Sequence, residues 1–342
     1  MAYLHTRTAI KIVNMKKNVA IVWGGYSSEK GVSEKSAAGI YSFIDKEKYN
    51  VYQVKIDKES WSALYRNNTY LIDKNDFSFT VDGEVIKFDF AYITIHGTPG
   101  EDGTLQGYLD MLGVPYSNSG VLASALTFNK FVCNHYLKSF GINVPKSVLL
   151  KKDTLYNSEE IVSRLGLPVF VKPNAGGSSF ATTKVKEILQ LKKAVADAFN
   201  ESPEVIIESF IVGTEVTCGC YKTKKGMYVL PLTEVVSHNE FFDYAAKYDG
   251  QVEEITPARI SEQMTRKIKE ITSRIYDLVG AKGIIRADYI ISDNTPILLE
   301  VNTTPGMTPT SFIPQQVAAA NLSMTDVLSE IIEYEYCKAK SF

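Results

Sequence analysis

The run NVAIVWGG, from Asn18, is an apolar strand that ends in paired glycines and passes at once into a helix-forming stretch, SEKSAAGIYSFID. A second strand pattern, NVYQVKI, follows, and a later apolar run, FAYITIHG, again ends in a glycine loop. This order predicts βαβ alternation around a mostly parallel sheet. Open α/β sheets bind ligands in loops at the carboxyl ends of their strands, which singles out the loops after IVWGG and YITIHG. Neither has the spacing of a dinucleotide-binding fingerprint, and a Walker-type P-loop is absent, so the two commonest nucleotide motifs are excluded.

A chain of 342 residues predicts two or three subdomains rather than one core. Its formal net charge of -2 gives no electrostatic reason to expect nucleic acid or an anionic membrane, and no apolar run approaches a membrane span. The segment Met1 to Lys17 is basic but lacks the apolar core and cleavage site of a secretory signal. Met15 reads as the start, with residues 1–14 a poorly ordered extension. Cys133, Cys218, Cys220 and Cys337 form no CxxC pair and read as buried, reduced thiols of a cytosolic protein. The four histidines are too scattered for a zinc site, and only His96 sits in a suggestive context.

Beyond a Gly/Ser-rich boundary at GVPYSNSG, a helix is expected from Ser124 to Phe140. The strand PVFVKP then places Lys172 before the loop NAGGSS, whose free N–H groups suit an anion; an exposed lysine before a flexible turn fits the same residues. EVIIESFIVGTEVTCGCY reads as one strand with Glu208 and Glu215 at its edges, placed either to bond a base and a ribose or simply to meet solvent. The polar, aromatic segment SHNEFFDYAAKYDGQVEEITPA reads either as disordered or as a lid that carries Lys247 and Tyr248 over a ligand, and its aromatics argue mildly for the lid, since disordered tracts are poor in them. Helices are expected from Ser261 to Val279 and from Met324 to about Cys337.

The segment RADYIISDNTPILLEVN predicts a hairpin, with Ser292 to Thr295 as the turn. A register symmetric about Asn294 sets Asp288 opposite Glu300 and Arg286 opposite Asn302, with all four groups on one face. Two opposed carboxylates repel and ask for a cation. The all-oxygen set Asp288, Glu300 and Asn302 suits a hard divalent ion such as Mg2+, with solvated hairpin ends as the alternative.

Six stretches in order, GGYSSEKGVS, HGTPGEDGTLQGYLDMLGVPYSNSGVLASALTFNK, VFVKPNAGGSS, FFDYAAKY, GAKGIIRADY and LLEVNTTPGMTPTS, resemble D-alanine:D-alanine ligases of the ATP-grasp superfamily. The resemblance runs from about Asn18 to the C-terminal helix. It implies an α/β (α+β overall) fold: a Rossmann-like domain over 15–118, then ATP-grasp subdomains over 119–211 and 212–342 with a lid at 235–256. It implies cytoplasmic, ATP-dependent synthesis of D-alanyl-D-alanine through an acyl phosphate, for peptidoglycan precursors, by a homodimer without nucleic-acid or membrane partners.

By the same resemblance, Lys130, Lys172 and Lys247 hold ATP phosphates, Glu208, Glu215 and the Ile211 backbone hold the nucleoside, and Asp288, Glu300 and Asn302 hold two Mg2+ (or Mn2+) ions. Glu29 binds the first D-alanine's ammonium, linked to Ser178 and Tyr248, with His96 nearby. Arg286 and the Gly306 N–H stabilise the oxyanion, and Ser311 binds the second D-alanine. Tyr248 favours an amine over a lactate acceptor. Departures are the missing charged pair before GSS, Ser209 in place of a lysine, and Phe312 after Ser311, which leaves D-serine open as acceptor. A different ATP-grasp carboxylate-amine ligase and an ATP-binding scaffold without chemistry are the competing readings.

Overall fold

Strand β1 (Lys17–Gly24) runs parallel to β2 (Tyr49–Ile56) on one side and to β7 (Phe90–Ile93) on the other. Between β1 and β2 lies helix α1 (Lys30–Phe43), so the βαβ unit is present. The computed structural model describes residues 16–177, 181–237 and 252–340. The expected extension at 1–14 and the core of the expected lid therefore lie outside the described residues. The sheet is more mixed than the sequence pattern implies: β3 (Trp61–Tyr65) and β4 (Asn68–Leu71) extend it antiparallel, in the order β4-β3-β2-β1-β7. A small hairpin, β5 (Ser78–Val81) with β6 (Glu84–Lys87), packs Phe77 and Phe79 into the same core.

Helix α2 (Thr104–Leu112) completes this unit. The stretch expected as one helix from Ser124 to Phe140 is two, α3 (Val121–Phe128) and α4 (Lys130–Ser139). Asn129 breaks it: its backbone leaves the helical region, and its side chain accepts from the Val132 N–H at 3.0 Å as an N-cap. Lys130 thereby opens a new helix.

A four-stranded antiparallel sheet follows, ordered β10-β9-β11-β8, from β8 (Ser147–Lys151), β9 (Val169–Pro173), β10 (Thr183–Val185) and β11 (Glu204–Ser209). Helices α5 (Ser158–Leu165) and α6 (Ile188–Phe199) cover one face with an aliphatic core. The single strand expected from Glu204 to Tyr221 is also two. β11 ends at Ser209, and β12 (Thr214–Thr223) belongs to the next sheet. Gly213 marks the passage, because a Cβ there would lie 2.1 Å from the Ile291 carbonyl oxygen.

The last sheet runs β15-β14-β12-β16-β17, with β13 (Gly226–Val229) also on β12. It comprises β14 (Thr233–Ser237), β15 (Val252–Ile255), β16 (Ile284–Ser292) and β17 (Thr295–Asn302). The expected lid begins and ends in β14 and β15, which pair with each other. Helix α7 (Glu262–Leu278), capped by Ser261, packs on the face that buries Cys218, Cys220, Ile285 and Ala287. Cys133, Cys218 and Cys220 are buried and free, whereas Cys337 is exposed, against expectation.

Helices α8 (Phe312–Ala319) and α9 (Met324–Ala339) return to the N-terminal sheet, where Ile313, Leu328 and Ile331 share a core with Val19, Ile21 and Ile40. At this junction α1 presses on the loop after β17. A Cβ on Gly39 would stand 2.0 Å from the Met307 carbonyl oxygen, while one on Gly31 of the same helix meets nothing within 4 Å. Gly39→Ala is expected to cost about 1–3 kcal/mol, as overpacking against backbone does. Gly31→Ala should cost nothing, and denaturant unfolding of the two variants checks the contrast.

Candidate active site

The hairpin β16–β17 brings the four expected groups together by a different route from the one its sequence suggests. The turn is the two-residue pair Asp293-Asn294, both at positive φ, and from it Ser292 faces Thr295 and Tyr289 faces Leu298. A bulge at Leu299 then shifts the register by one, so that Asp288 faces Glu300 and Arg286 faces Asn302. The bulge also lets both Leu298 and Val301 enter the core while Glu300 and Asn302 turn to the opposite face. That phase change is why so apolar a hairpin ends in carboxylates.

The charge of these carboxylates is met first by the protein itself. Arg286 clamps Asp288 in two parallel bonds, Nε to Oδ1 at 2.8 Å and Nη2 to Oδ2 at 2.7 Å. Burial opposes the guanidinium charge, but Asp288 and then Glu300 outweigh it, so Arg286 stays protonated. Its guanidinium also lies 5.3 Å from the Phe312 ring centre. Lys130 Nζ reaches Glu300 at 3.5 Å and donates to the Gly176 carbonyl of the loop after β9. Asn302 Nδ2 donates to Asp288 at 3.1 Å and faces Glu300 at 3.5 Å. Among the described residues no cluster of three His, Cys, Asp or Glu side chains is poised for a metal. The donor set here is two carboxylates and an amide, whose oxygens suit Mg2+ once the amide turns.

In the central sheet, β9 pairs with β11 so that Lys172 and Glu208 are diagonal neighbours on one face. Their side chains meet at 2.6 Å and are 16% and 4% exposed, so the exposed-lysine reading fails for Lys172 and the solvated reading fails for Glu208. Burial alone would lower the Lys172 pKa, but the Glu208 and Glu300 carboxylates raise it. Asn134 of α4 ties the two sheets, donating to Glu208 at 3.4 Å and to the bulged Leu299 carbonyl at 3.2 Å. Glu215 lies on β12, two residues before Thr217 and on the same face, and Ile211 lies in the link between the sheets.

From the N-terminal domain, Glu29 precedes α1 and is buried, with its carboxylate against Gly177, where a Cβ would lie 2.7 Å from Oε1. His96 is also buried, and its Nε2 lies 3.1 Å from Ser36 Oγ. Ser36 in turn accepts from the Met307 N–H at 3.4 Å, so His96 is linked to the loop that carries Gly306 and Ser311. Ser311 Oγ accepts from the Thr308 N–H at 3.1 Å, and a Cβ at Gly306 would lie 3.1 Å from that oxygen. Asn118 fastens the same loop, donating to the Thr303 carbonyl at 3.2 Å and to Thr304 Oγ1 at 2.7 Å. Ser178, Lys247 and Tyr248 lie outside the described residues.

Burial, with the Arg286 charge added, lowers the His96 pKa from 6.5 to about 4. An NMR titration is therefore expected to find this imidazole neutral through the physiological range. Between pH 6.5 and about 4 the unfolded chain takes up a proton that the native state refuses, so stability falls as pH drops through that window. His96→Gln should flatten that slope.

Sequence reasoning missed several contributors. Glu101 accepts from the Gly97 N–H at 2.7 Å, and burial together with the Glu29 charge raises its pKa. An acid inside a glycine loop at a strand's carboxyl end was its signal. Thr217, Asn134, Ser36 and Asn118 carried weaker ones, since each depends on which elements pair.

Two family models match the chain, the D-ala D-ala ligase N-terminus over residues 18–119 and the D-ala D-ala ligase C-terminus over 136–333. A D-alanine--D-alanine ligase of Parabacteroides distasonis is 62% identical over 96% of this chain and 100% of its own length. Among solved structures, a D-Ala:D-Ser ligase from Enterococcus faecalis has a TM-score of 0.82 at 31% identity, covering 94% of this chain and 100% of that one. The D-alanine--D-alanine ligase of Bacillus anthracis complexed with ATP has a TM-score of 0.77 at 28% identity, covering 95% and 99%. The two antiparallel sheets that follow a Rossmann-like domain are thus an ATP-grasp fold, and with both family models and a close full-length relative in agreement the chain belongs to the D-alanine–D-alanine ligase family.

Proposed function

We propose that this enzyme joins two D-alanine molecules into D-alanyl-D-alanine at the expense of ATP, supplying precursors for peptidoglycan. The observation that carries the reading is the convergence of Arg286, Asp288, Glu300 and Asn302 on one sheet face beside Lys130. The carboxylate of the first D-alanine attacks the γ-phosphorus of ATP, forming an acyl phosphate and releasing ADP. The amine of the second D-alanine adds to the acyl carbon, and the C–O bond to phosphate breaks. Both steps bring like charges or a developing oxyanion together, so positioning and charge neutralisation are the main demands.

Lys130 and Lys172 turn from their carboxylate partners to the ATP phosphates, with Lys247 joining from the lid. Glu208, Glu215 and the Ile211 backbone hold the nucleoside. Asp288, Glu300 and Asn302 would hold Mg2+, which when bound neutralises phosphate charge. Arg286 and the Gly306 N–H steady the oxyanion. Glu29, with Ser178 and Tyr248, holds the first ammonium beside a neutral His96, and Ser311 holds the second carboxylate. The unpaired buried thiols and the need for ATP favour the cytoplasm. Exposed apolar Met111 and Leu122, on adjoining helices, support a homodimer, which light scattering on the purified protein would test.

The test of the reaction is phosphate release from ATP and Mg2+ with D-alanine, L-alanine, D-serine and D-lactate offered singly and in pairs, with products weighed by mass spectrometry. D-alanine alone should stimulate release and yield the dipeptide. ATP binding without stimulation by any D-amino acid would move the substrate to another carboxylate-amine pair.

A further inference from the structure

We infer that Thr217 is a positioning residue that fixes the Asp288 carboxylate in the orientation a bound divalent cation requires. The inference rests on the reading of Asp288 as a metal ligand. Thr217 stands directly opposite Asp288 in the β12–β16 pairing, and its hydroxyl donates to Asp288 Oδ1 at 2.5 Å. It is 2% exposed, on the face of β12 opposite the buried Val216 and Cys218.

The donors around Asp288 are not equivalent. Oδ1 accepts from Thr217 and from Arg286 Nε, and Oδ2 accepts from Arg286 Nη2 and Asn302 Nδ2. A carboxylate so surrounded must release donors before it can ligate a cation. On the proposed roles Arg286 turns to the oxyanion and Asn302 turns its amide oxygen to the ion, so these two donors are the ones that leave Asp288. The Thr217 hydroxyl makes no other hydrogen bond among the described residues. It therefore keeps the carboxylate's rotamer when the other contacts are gone, as the hydrogen-bonded partners of metal ligands do.

The backbone of Thr217 is fixed in its turn. Gln316 of α8, fully buried, donates to the Thr217 carbonyl and to Thr233 Oγ1, each at 3.1 Å, and accepts from the Gly219 N–H at 2.9 Å. The fold itself does not demand the hydroxyl. Valine has the same shape and suits a buried strand as well, and Asp288 would retain three donated bonds without it.

The experiment compares the full-length wild type, Thr217→Val, Thr217→Ser and Asp288→Asn for binding of Mn2+ in the presence of ADP, read by electron paramagnetic resonance against ADP alone. Thermal unfolding without metal is recorded alongside. Thr217→Val is expected to weaken Mn2+ binding by about tenfold to a hundredfold, with Thr217→Ser restoring it. Wild-type Mn2+ affinity in Thr217→Val, or equal losses in the Val and Ser variants, would overturn the inference while leaving the metal assignment standing. If Asp288→Asn also binds Mn2+ as the wild type does, the metal assignment itself falls and the inference with it.

Discussion

Glu300→Ala is expected to abolish turnover at ordinary Mg2+ while the protein remains folded. The side chain is 27% exposed, and after its removal Lys130 keeps the Gly176 carbonyl as an acceptor and Asp288 keeps Arg286. What is lost is one of the two carboxylates on the hairpin face, where the proposed reading has phosphate oxygens meet an attacking carboxylate. Removing one such preorganised contact typically slows reactions on the order of a hundredfold to a thousandfold, and a residue proposed to ligate the ion belongs at the upper end. Steady-state kinetics across a Mg2+ series, with circular dichroism as the check on folding, measure both parts. Normal turnover at ordinary Mg2+ would remove Glu300 from the site.

Lys172→Met is expected to reduce stability, apart from its proposed role toward the nucleotide. Glu208 is 4% exposed, and its nearest cation is Lys172 at 2.6 Å. Taking away one member of a buried pair leaves a desolvated charge, at a cost of about 3–5 kcal/mol. The weak bond from Asn134, at 3.4 Å, offsets little of that. Denaturant unfolding followed by probes in the central sheet should register the loss, and adding Glu208→Gln should recover most of it. A single variant as stable as the wild type would mean that the pair is screened by solvent.

The βαβ opening and the hairpin that pairs Asp288 with Glu300 were legible because each rests on a local period. The hairpin shows how a right answer can rest on an incomplete cause. A register symmetric about Asn294 gives the pairing of Asp288 with Glu300, yet the chain makes a tighter turn and corrects it with a bulge at Leu299. The spacing of Leu298 and Val301, three apart and both buried, was the available sign. The break at Asn129 was missed because the apolar pattern runs on through it, although Asn before Lys130 is an N-cap signal. The join of β11 to β12 was missed for the same reason, with Gly213 as the overlooked marker. The internal ion pairs were beyond a linear reading. Lys172 meets Glu208 only because β9 and β11 pair in one register, and Lys130 meets Glu300 only because α4 lies beside β17. The site's cations and carboxylates thus serve as each other's counterions.

The most direct test of this account is an oxygen-tracing experiment: D-alanine labelled with oxygen-18 in its carboxylate is turned over with ATP and Mg2+, and both the dipeptide and the inorganic phosphate are weighed. An acyl phosphate passes one carboxylate oxygen to phosphate when the amine displaces it, so one labelled oxygen should appear in phosphate for each D-alanyl-D-alanine formed. Dipeptide accompanied by unlabelled phosphate would contradict the mechanism, and labelled D-alanine left unconsumed while ATP is bound would contradict the function.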